Sequence, residues 1–324
     1  MRLRVVSIPM HIRFRGITHR EAALFQGTDG GWGEWSPFVE YPPAEAEAWL
    51  RCAEEAAAAD WPPALRHRIP VNVTVPAVDP ARAHEIVIAG GCTTAKVKVA
   101  EPGQTLAEDQ ARVESVRDAL GPSGRIRVDA NGSWDLDTAV SAIRLLDRAA
   151  AGLEYVEQPC ARVEDLALVR RQVNVAIAAD ESIRRAADPY RVRDLEAADI
   201  AVLKVQPLGG VRAALRIAED IGLPVVVSSA LETAVGIAAG VALAAALPEL
   251  PYACGLATGQ LLSDDVAVVT MLPVGGFLDV RAVAVDEAAL TRLAASPARQ
   301  AWWEARLFDA LVARDRVVRQ DRDS

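Results

Sequence analysis

Cysteine and histidine are scarce in this chain of 324 residues, and their positions exclude more than their number does. Cys52, Cys92, Cys160 and Cys254 are widely scattered with no C-x-x-C pair, which argues against a thiolate metal site or a disulfide framework. Four reduced thiols and no secretion signal in the opening residues lead to the expectation of a cytoplasmic protein. His11, His19, His67 and His84 all lie within the first 84 residues, away from the polar groups that punctuate the rest of the chain. A histidine metal site or a Ser-His-Asp triad is therefore not expected. No G-x-G-x-x-G follows an early strand, so a dinucleotide-binding sheet is disfavoured. Long apolar runs are also missing: the longest, Ala234–Leu247, has 14 residues and is interrupted by Gly236 and Gly240. That is too short to cross a bilayer and suits a buried helix. Aromatic residues make up only 5%, so the core must be built mainly from Ala and Val. The formal net charge of −9 disfavours nucleic acid or an anionic membrane as partner. It leaves room for a small anionic carboxylate substrate, which responds to local potential.

What the sequence does have is a repeat of strand endings. AKVKVA (95–100) is an apolar strand with Lys96 and Lys98 on one face. Further apolar runs end at Asp129 (RVDAN), Glu157 (YVEQP), Asp180–Glu181 (IAADES), Lys204 (VLKVQ) and Ser228–Ser229 (VVVSS). Helices are expected between them, at about 80–89, 106–120, 137–150, 163–172, 188–196, 211–221 and 233–247. With Val71–Val75 and Tyr252–Leu256 added, eight apolar strands alternate with helices, which predicts an α/β fold with a closed (β/α)8-type barrel. Residues 1–69 read as a separate α+β unit: strands over 1–8 and 21–26, a basic loop Arg13–Arg20 between them, and a helix over 44–59. The barrel is expected over 70–264. From 265 to 324 the period is lost; short strands returning to the first unit, a helix or two and a frayed, charged end are expected.

In a barrel the C-terminal strand ends meet at one face, so residues remote in sequence converge there. Each ending alone has a plain structural explanation: an Asp caps a helix, a Lys sits on a solvated face. Together they fit that explanation less well. Asp129, Glu157 and Asp180 in one mouth would repel one another unless a cation lay among them. With only oxygen donors to offer, that cation is expected to be Mg²⁺, with Mn²⁺ as substitute. Lys98 and Lys204 would flank it, with their pKa values pulled down toward those of working bases.

These motifs carry a resemblance. KVK (96–98), DAN (129–131), EQP (157–159), ADES (179–182) and LKVQPLGG (203–210) resemble the enolase superfamily in its muconate-lactonising-type subgroup. SSALET (228–233), residues 240–258 and the FRGIT loop resemble a dehydrating branch of that subgroup. The resemblance covers nearly the whole chain to about Asp265. It implies a modified (β/α)7β barrel under an α+β capping domain formed by the N-terminal part and a C-terminal segment. It further implies metal ligation by Asp129, Glu157 and Asp180, and abstraction by Lys98 of the proton α to a carboxylate. A dehydration then follows on the same face, with Lys204 as a charged stabiliser opposite. Racemases of N-acylamino acids and dipeptide epimerases carry the same five residues, and there the two lysines alternate as acid and base. A Schiff-base aldolase and a metal-binding barrel with a structural or binding role are further alternatives.

Around the five, Lys96 is placed either at the substrate carboxylate or on the metal-side water. Asn131 is a neighbour of a ligand carboxylate or a turn former, and Glu181 a support for Lys204 or a helix N-terminal acid. Ser228, Ser229 and Gly255 are candidates for a distal substrate carboxylate. Arg13, Arg15 and Phe38 belong to cap loops able to close over the mouth. Oligomeric state does not follow from the sequence.

Overall fold

The computed structural model describes residues 3–185 and 188–323. Its first two strands, β1 (Arg4–Phe14) and β2 (Ile17–Gln26), are longer than the sequence suggests. The expected basic loop at 13–20 is instead the tip of their hairpin. Arg15 and Gly16 both have positive φ, 50° and 78°, the backbone that a two-residue turn between twisted antiparallel strands requires. β3 (Trp32–Trp35) completes a three-stranded meander, and α1 (Pro43–Ala57) lies against it. Gly33 permits that contact, because a Cβ there would stand 2.0 Å from the Ala53 carbonyl oxygen. Trp35, Trp49, Leu50 and Leu24 fill the core between sheet and helix.

The chain then passes through β4 (Arg68–Pro70) into alternating strands and helices. These are β5 (Val73–Val75), α2 (Pro80–Gly90), β6 (Thr94–Lys98), α3 (Leu106–Leu120), β7 (Arg125–Asp129), α4 (Leu136–Ala149), β8 (Tyr155–Glu157) and α5 (Val163–Arg170). There follow β9 (Ile177–Ala179), α6 (Glu181–Arg184), α7 (Arg191–Asp194), β10 (Ile200–Lys204), α8 (Val211–Ile221), β11 (Val225–Ser228) and α9 (Ala234–Ala246). Side-chain caps mark several helix starts, including a Thr105–Glu108 capping box on α3 and Asp79, Asp135 and Thr233 on α2, α4 and α9. The helix expected over 188–196 shrinks to the four residues of α7. Pro189 and the high polarity of this stretch leave little apolar face to pack.

β5 to β11 form one parallel sheet in sequential order. The expected eighth strand is reduced to Cys254–Gly255, which bridges Val71 on one side and Ser228 on the other. Four backbone hydrogen bonds make this closure. Cys254 N–H donates to the Pro70 carbonyl, Asn72 N–H to Cys254, Gly255 N–H to Val227 and Ser229 N–H to Gly255. The fold is thus a (β/α)8-type barrel with an N-terminal cap.

After a 3₁₀ turn at Ala257–Leu261, the chain crosses back to the cap. Ser263 N–H donates to Pro9, Ser7 N–H to Leu293, and Ala295 N–H to Val5. Of the short strands expected over 265–284, β12 (Phe277–Asp279) forms, and it pairs with β4 at the start of the barrel rather than with the cap. Next come α10 (Glu287–Arg292) and α11 (Pro297–Asp323), a helix running through the stretch expected to fray. Trp303 of α11 packs edge to face on Trp35 at 5.4 Å, and Arg306 donates to the carbonyls of Phe38 and Tyr41. The C-terminal helix therefore braces the loop that overhangs the barrel mouth.

Cap and barrel also meet at a buried acid pair. Glu34 of β3 accepts hydrogen bonds from Thr233 N–H, Thr233 Oγ1, Gly236 N–H and Ser36 Oγ, so it caps α9 from outside the barrel. Glu232 accepts one from Ala230 N–H. Burial and then the charge of Glu34 push the Glu232 carboxyl up to about 7. Because the folded value exceeds the ordinary one, this group contributes stability below about pH 4.5 that is lost as pH rises to about 7. The change is about 3 kcal/mol. Glu232→Gln keeps the acceptor without the charge. Thermal denaturation from pH 5 to 8 is expected to show the wild type losing stability that this variant retains; parallel curves would refute it.

Candidate active site

Strand register assembles the site. Lys98 lies beside Asp129, and Asp129 beside Glu157, across β6, β7 and β8, while Asp180 immediately follows β9 and Lys204 ends β10. All five sit at the C-terminal face of the barrel. Asp129, Glu157 and Asp180 are fully buried, which would be very costly if their charges stood unpaired. Each has a cation instead. Lys98 Nζ donates to Asp129 Oδ2 at 2.5 Å and to Asn131 Oδ1 at 2.8 Å. Lys96 Nζ reaches both Glu157 oxygens, at 2.8 and 2.9 Å, and stands 3.2 Å from Asp129 Oδ2. Lys204 Nζ donates to Asp180 Oδ2 at 2.6 Å, and Arg184 Nε to Asp180 Oδ1 at 2.8 Å.

These pairings set the charges. Burial alone would raise Asp129, but Lys98 and Lys96 outweigh it and hold the carboxyl well below its ordinary range. Burial is likewise outweighed at Asp180, where Arg184 and Lys204 bring the value down to about 2. Glu157 is pushed up to about 7, by burial and then by the charge of Asp129, against the pull of Lys96. Lys96 itself is raised, since Glu157 and Asp129 overcome its burial. Lys98 is lowered, by burial first and by Lys96 and Lys204 as well, against the pull of Asp129. That direction suits a base.

The carboxylates fit a hard divalent cation in donor type and in their place on neighbouring strands. Their side chains are nevertheless turned to lysines. Asp129 and Glu157 share Lys96, whereas Asp180 faces Lys204 and Arg184. Among the described residues no three acidic, His or Cys side chains stand close enough together to hold an ion. The nearest ammonium or guanidinium group neutralises each buried charge.

Over these groups lies a small cavity of about 30 Å³, lined by residues that include Lys96, Lys98, Lys204, Asn131, Ser228, Ser229 and Gly255. Arg15 and Phe38 close it from the cap, with the Arg15 guanidinium 4.3 Å from the Phe38 ring centre. That space holds about one water, so a substrate requires the hairpin tip or the Phe38 loop to move. Arg13 does not line it. Alternation along β1 turns Arg13 to solvent and brings Phe14 to the cavity, near Lys98.

Glu181 is not a partner of Lys204: one of its oxygens accepts from Arg184 and Asn131, and the other has no partner among the described residues. Asn131 bridges Lys98 and Glu181 while its N–H donates to Asp129, and its φ of +48° also serves the turn. Ser228 lies close against Gly255, where a Cβ would fall 2.6 Å from Ser228 Oγ. Ser229 Oγ meets Thr258 Oγ1 at 2.6 Å.

Sequence reasoning missed Phe14, Thr74, Thr258, Ala230 and Leu231 in the lining, and also two supports. Gln158 Oε1 accepts from the N–H groups of Asp180 and Ser182, fixing the backbone that carries Asp180. Arg184 joins Asp180 to the cap through the Tyr41 hydroxyl at 2.6 Å. The i, i+4 spacing of Asp180 and Arg184 was a usable signal. The link to Tyr41, 143 residues away, had none.

Barrel, cap and strand-end residues define a class, and sequence comparison agrees. The chain belongs to the enolase superfamily: the family described as "Enolase C-terminal domain-like" matches residues 79–284, and "Enolase N-terminal domain-like" matches residues 5–57. Within it, the chain is 63% identical to the o-succinylbenzoate synthase of Thermobifida fusca (strain YX) over 98% of both chains. It is 56% identical to the protein of the same name from Mycobacterium ulcerans (strain Agy99), over 93% of this chain and 91% of that one. Solved structures share the fold at lower identity. The muconate lactonizing enzyme from Pseudomonas fluorescens, complexed with muconolactone, superposes with a TM-score of 0.78 at 21% identity, covering 90% of this chain and 98% of that one. The L-Ala-D/L-Glu epimerase from Bacillus subtilis gives 0.75 at 23%, covering 88% and 96%.

Proposed function

We propose that the chain catalyses the o-succinylbenzoate synthase reaction, a hydro-lyase step of menaquinone biosynthesis in the cytoplasm. In it 2-succinyl-6-hydroxy-2,4-cyclohexadiene-1-carboxylate loses water to become o-succinylbenzoate. The observation that carries the reading is identity of 56–63% over nearly the whole chain to relatives of that name, joined to an intact set of two lysines and three buried carboxylates.

Lys98, its pKa lowered by burial, removes the proton α to the ring carboxylate. As an ammonium group it then returns that proton to the departing hydroxyl on the same face, and the ring becomes aromatic. Lys204, reaching in from β10, stays charged and stabilises the negative charge that develops. Mg²⁺, or Mn²⁺ in its place, held by Asp129, Glu157 and Asp180, supplies further electrostatic stabilisation at the substrate carboxylate when bound. Ser228, Ser229 and Gly255 receive the succinyl arm, and Phe14, Arg15 and Phe38 exclude water from above. Lys96 bridges Asp129 and Glu157 and offsets their charge, and Asn131 and Glu181 orient Lys98 and Arg184.

The test is an ultraviolet assay with the cyclohexadiene, run with and without Mg²⁺. Formation of the aromatic product is expected only with metal. Parallel incubation of N-acylamino acids and dipeptides in D₂O checks the competing activity. Rapid α-deuterium exchange there, with no dehydration of the cyclohexadiene, would replace this reading by racemisation or epimerisation.

A further inference from the structure

The turn that follows β11 brings Ser228 to Leu231 to the cavity wall, yet its own backbone is poorly disposed to stay there. Leu231 has φ of +66°, in the left-handed region that a branched side chain rarely adopts. Something outside the turn must hold it, and the contacts come from the cap. Arg20 of β2 is buried, with only 3% of its surface exposed, although nothing in the proposed chemistry uses it. Its Nε donates to the Leu231 carbonyl at 2.8 Å, and its Nη2 to the Ala230 carbonyl at 3.4 Å and to the Ser36 carbonyl. The guanidinium lies 4.5 Å from the centre of the Phe38 ring, which itself lines the cavity. Glu34 and Glu232 flank it and balance its charge, and both also bind backbone N–H groups between Ala230 and Gly236.

The planar fork of an arginine can take two successive carbonyls at once, which a lysine cannot. When the Ala230 carbonyl points at Arg20, the trans peptide turns the Leu231 N–H the other way. Among the described residues that N–H makes no hydrogen bond, and Leu231 lines the cavity. A donor without a partner in a buried wall is a place for an anionic oxygen.

We propose that Arg20 is a positioning residue: from the cap it locks the 229–232 turn in the conformation that receives the distal carboxylate of the substrate. This rests on the reading of the reaction given above. The lock acts on affinity for the succinyl arm and leaves the proton transfers at Lys98 untouched. It also ties recognition of that arm to the cap, since Arg20 and Phe38 both belong to it.

Arg20→Met and Arg20→Lys test it against the acid substrate and its distal methyl ester. The wild type is expected to prefer the acid. In both variants KM for the acid rises by about 10- to 100-fold, kcat falls by less than about threefold, and the pH profile of kcat keeps its position. KM for the ester changes little, so the acid-over-ester preference collapses. An equal loss on acid and ester, or a loss confined to kcat, would overturn the proposal. Hydrogen exchange supplies a readout independent of the reaction. The 229–232 amides of either folded variant are expected to exchange at least about tenfold faster than in wild type, with 94–100 unchanged. Unchanged exchange at 229–232 refutes the lock, whereas faster exchange in a protein that does not turn over the cyclohexadiene upholds the lock and refutes only the reaction.

Discussion

Lys98→Ala is expected to lower kcat by about 10³-fold or more, with the folded structure retained, because it removes the group proposed to take and return the proton. Retention of the fold is a structural expectation. Asp129 loses its 2.5 Å partner but keeps Lys96 at 3.2 Å, so no buried carboxylate is left without a cation. The same holds at Lys204, whose removal leaves Asp180 with Arg184 at 2.8 Å. Replacement by arginine separates the two roles. An arginine stays protonated at working pH, so Lys98→Arg remains inactive. Lys204→Arg preserves the charge, and in a one-base dehydration it keeps activity within about 10- to 100-fold of wild type, well above Lys204→Met. If Lys204→Arg and Lys204→Met are equally dead, Lys204 exchanges protons and the two-base chemistry of the racemases applies. Single-turnover kinetics with circular dichroism on each variant decides between these.

Removing divalent metal is expected to have an effect of similar size. Turnover in EDTA falls to background and returns with Mg²⁺ or Mn²⁺; full rate in EDTA would end the metal role. The structure adds a consequence that does not depend on turnover. Lys96 lies between Glu157 and Asp129, and Asp180 is held by Lys204 and Arg184. A cation held by the three carboxylates would stabilise the folded state, and that stabilisation is expected to appear as a rise in Tm with metal concentration. A site filled to 100 times its Kd contributes about 2.7 kcal/mol. Glu157→Gln, Asp129→Asn and Asp180→Asn should each flatten that rise and lower metal-dependent kcat/KM by at least about 10²-fold. A metal-induced Tm shift unchanged in all three variants would place the cation elsewhere.

Much of the fold was legible in the sequence, for a definite reason. Parallel strands buried on both faces must be apolar along their length, so a polar residue at the end of such a run stands out. Lys98, Asp129, Glu157, Asp180 and Lys204 all stand at the ends of such runs. The eighth strand was overestimated because an apolar stretch such as Tyr252–Leu256 says nothing of how many ladder bonds it makes. In the cap, two positive φ values at Arg15–Gly16 turned an expected loop into a hairpin tip, and strand alternation then exchanged Arg13 for Phe14 at the cavity. Arginine is the residue the sequence conceals best. Arg20, Arg184 and Arg306 look like ordinary surface charges, yet all three are buried against carbonyls, carboxylates or rings.

The sequence by itself determined the barrel period, the strand ends and the chemistry they offer, because periodicity and residue type are local properties. Only the tertiary structure decided which cation neutralises which carboxylate, how tightly the cap closes the mouth, and that Glu181 serves Arg184 and Asn131 rather than Lys204. Those outcomes turn on distances of a few ångströms between groups far apart along the chain, such as the Arg20 guanidinium and the Leu231 carbonyl, 211 residues away. Coulomb energy and hydrogen bonding at that range depend on folded geometry, which no spacing along the chain encodes.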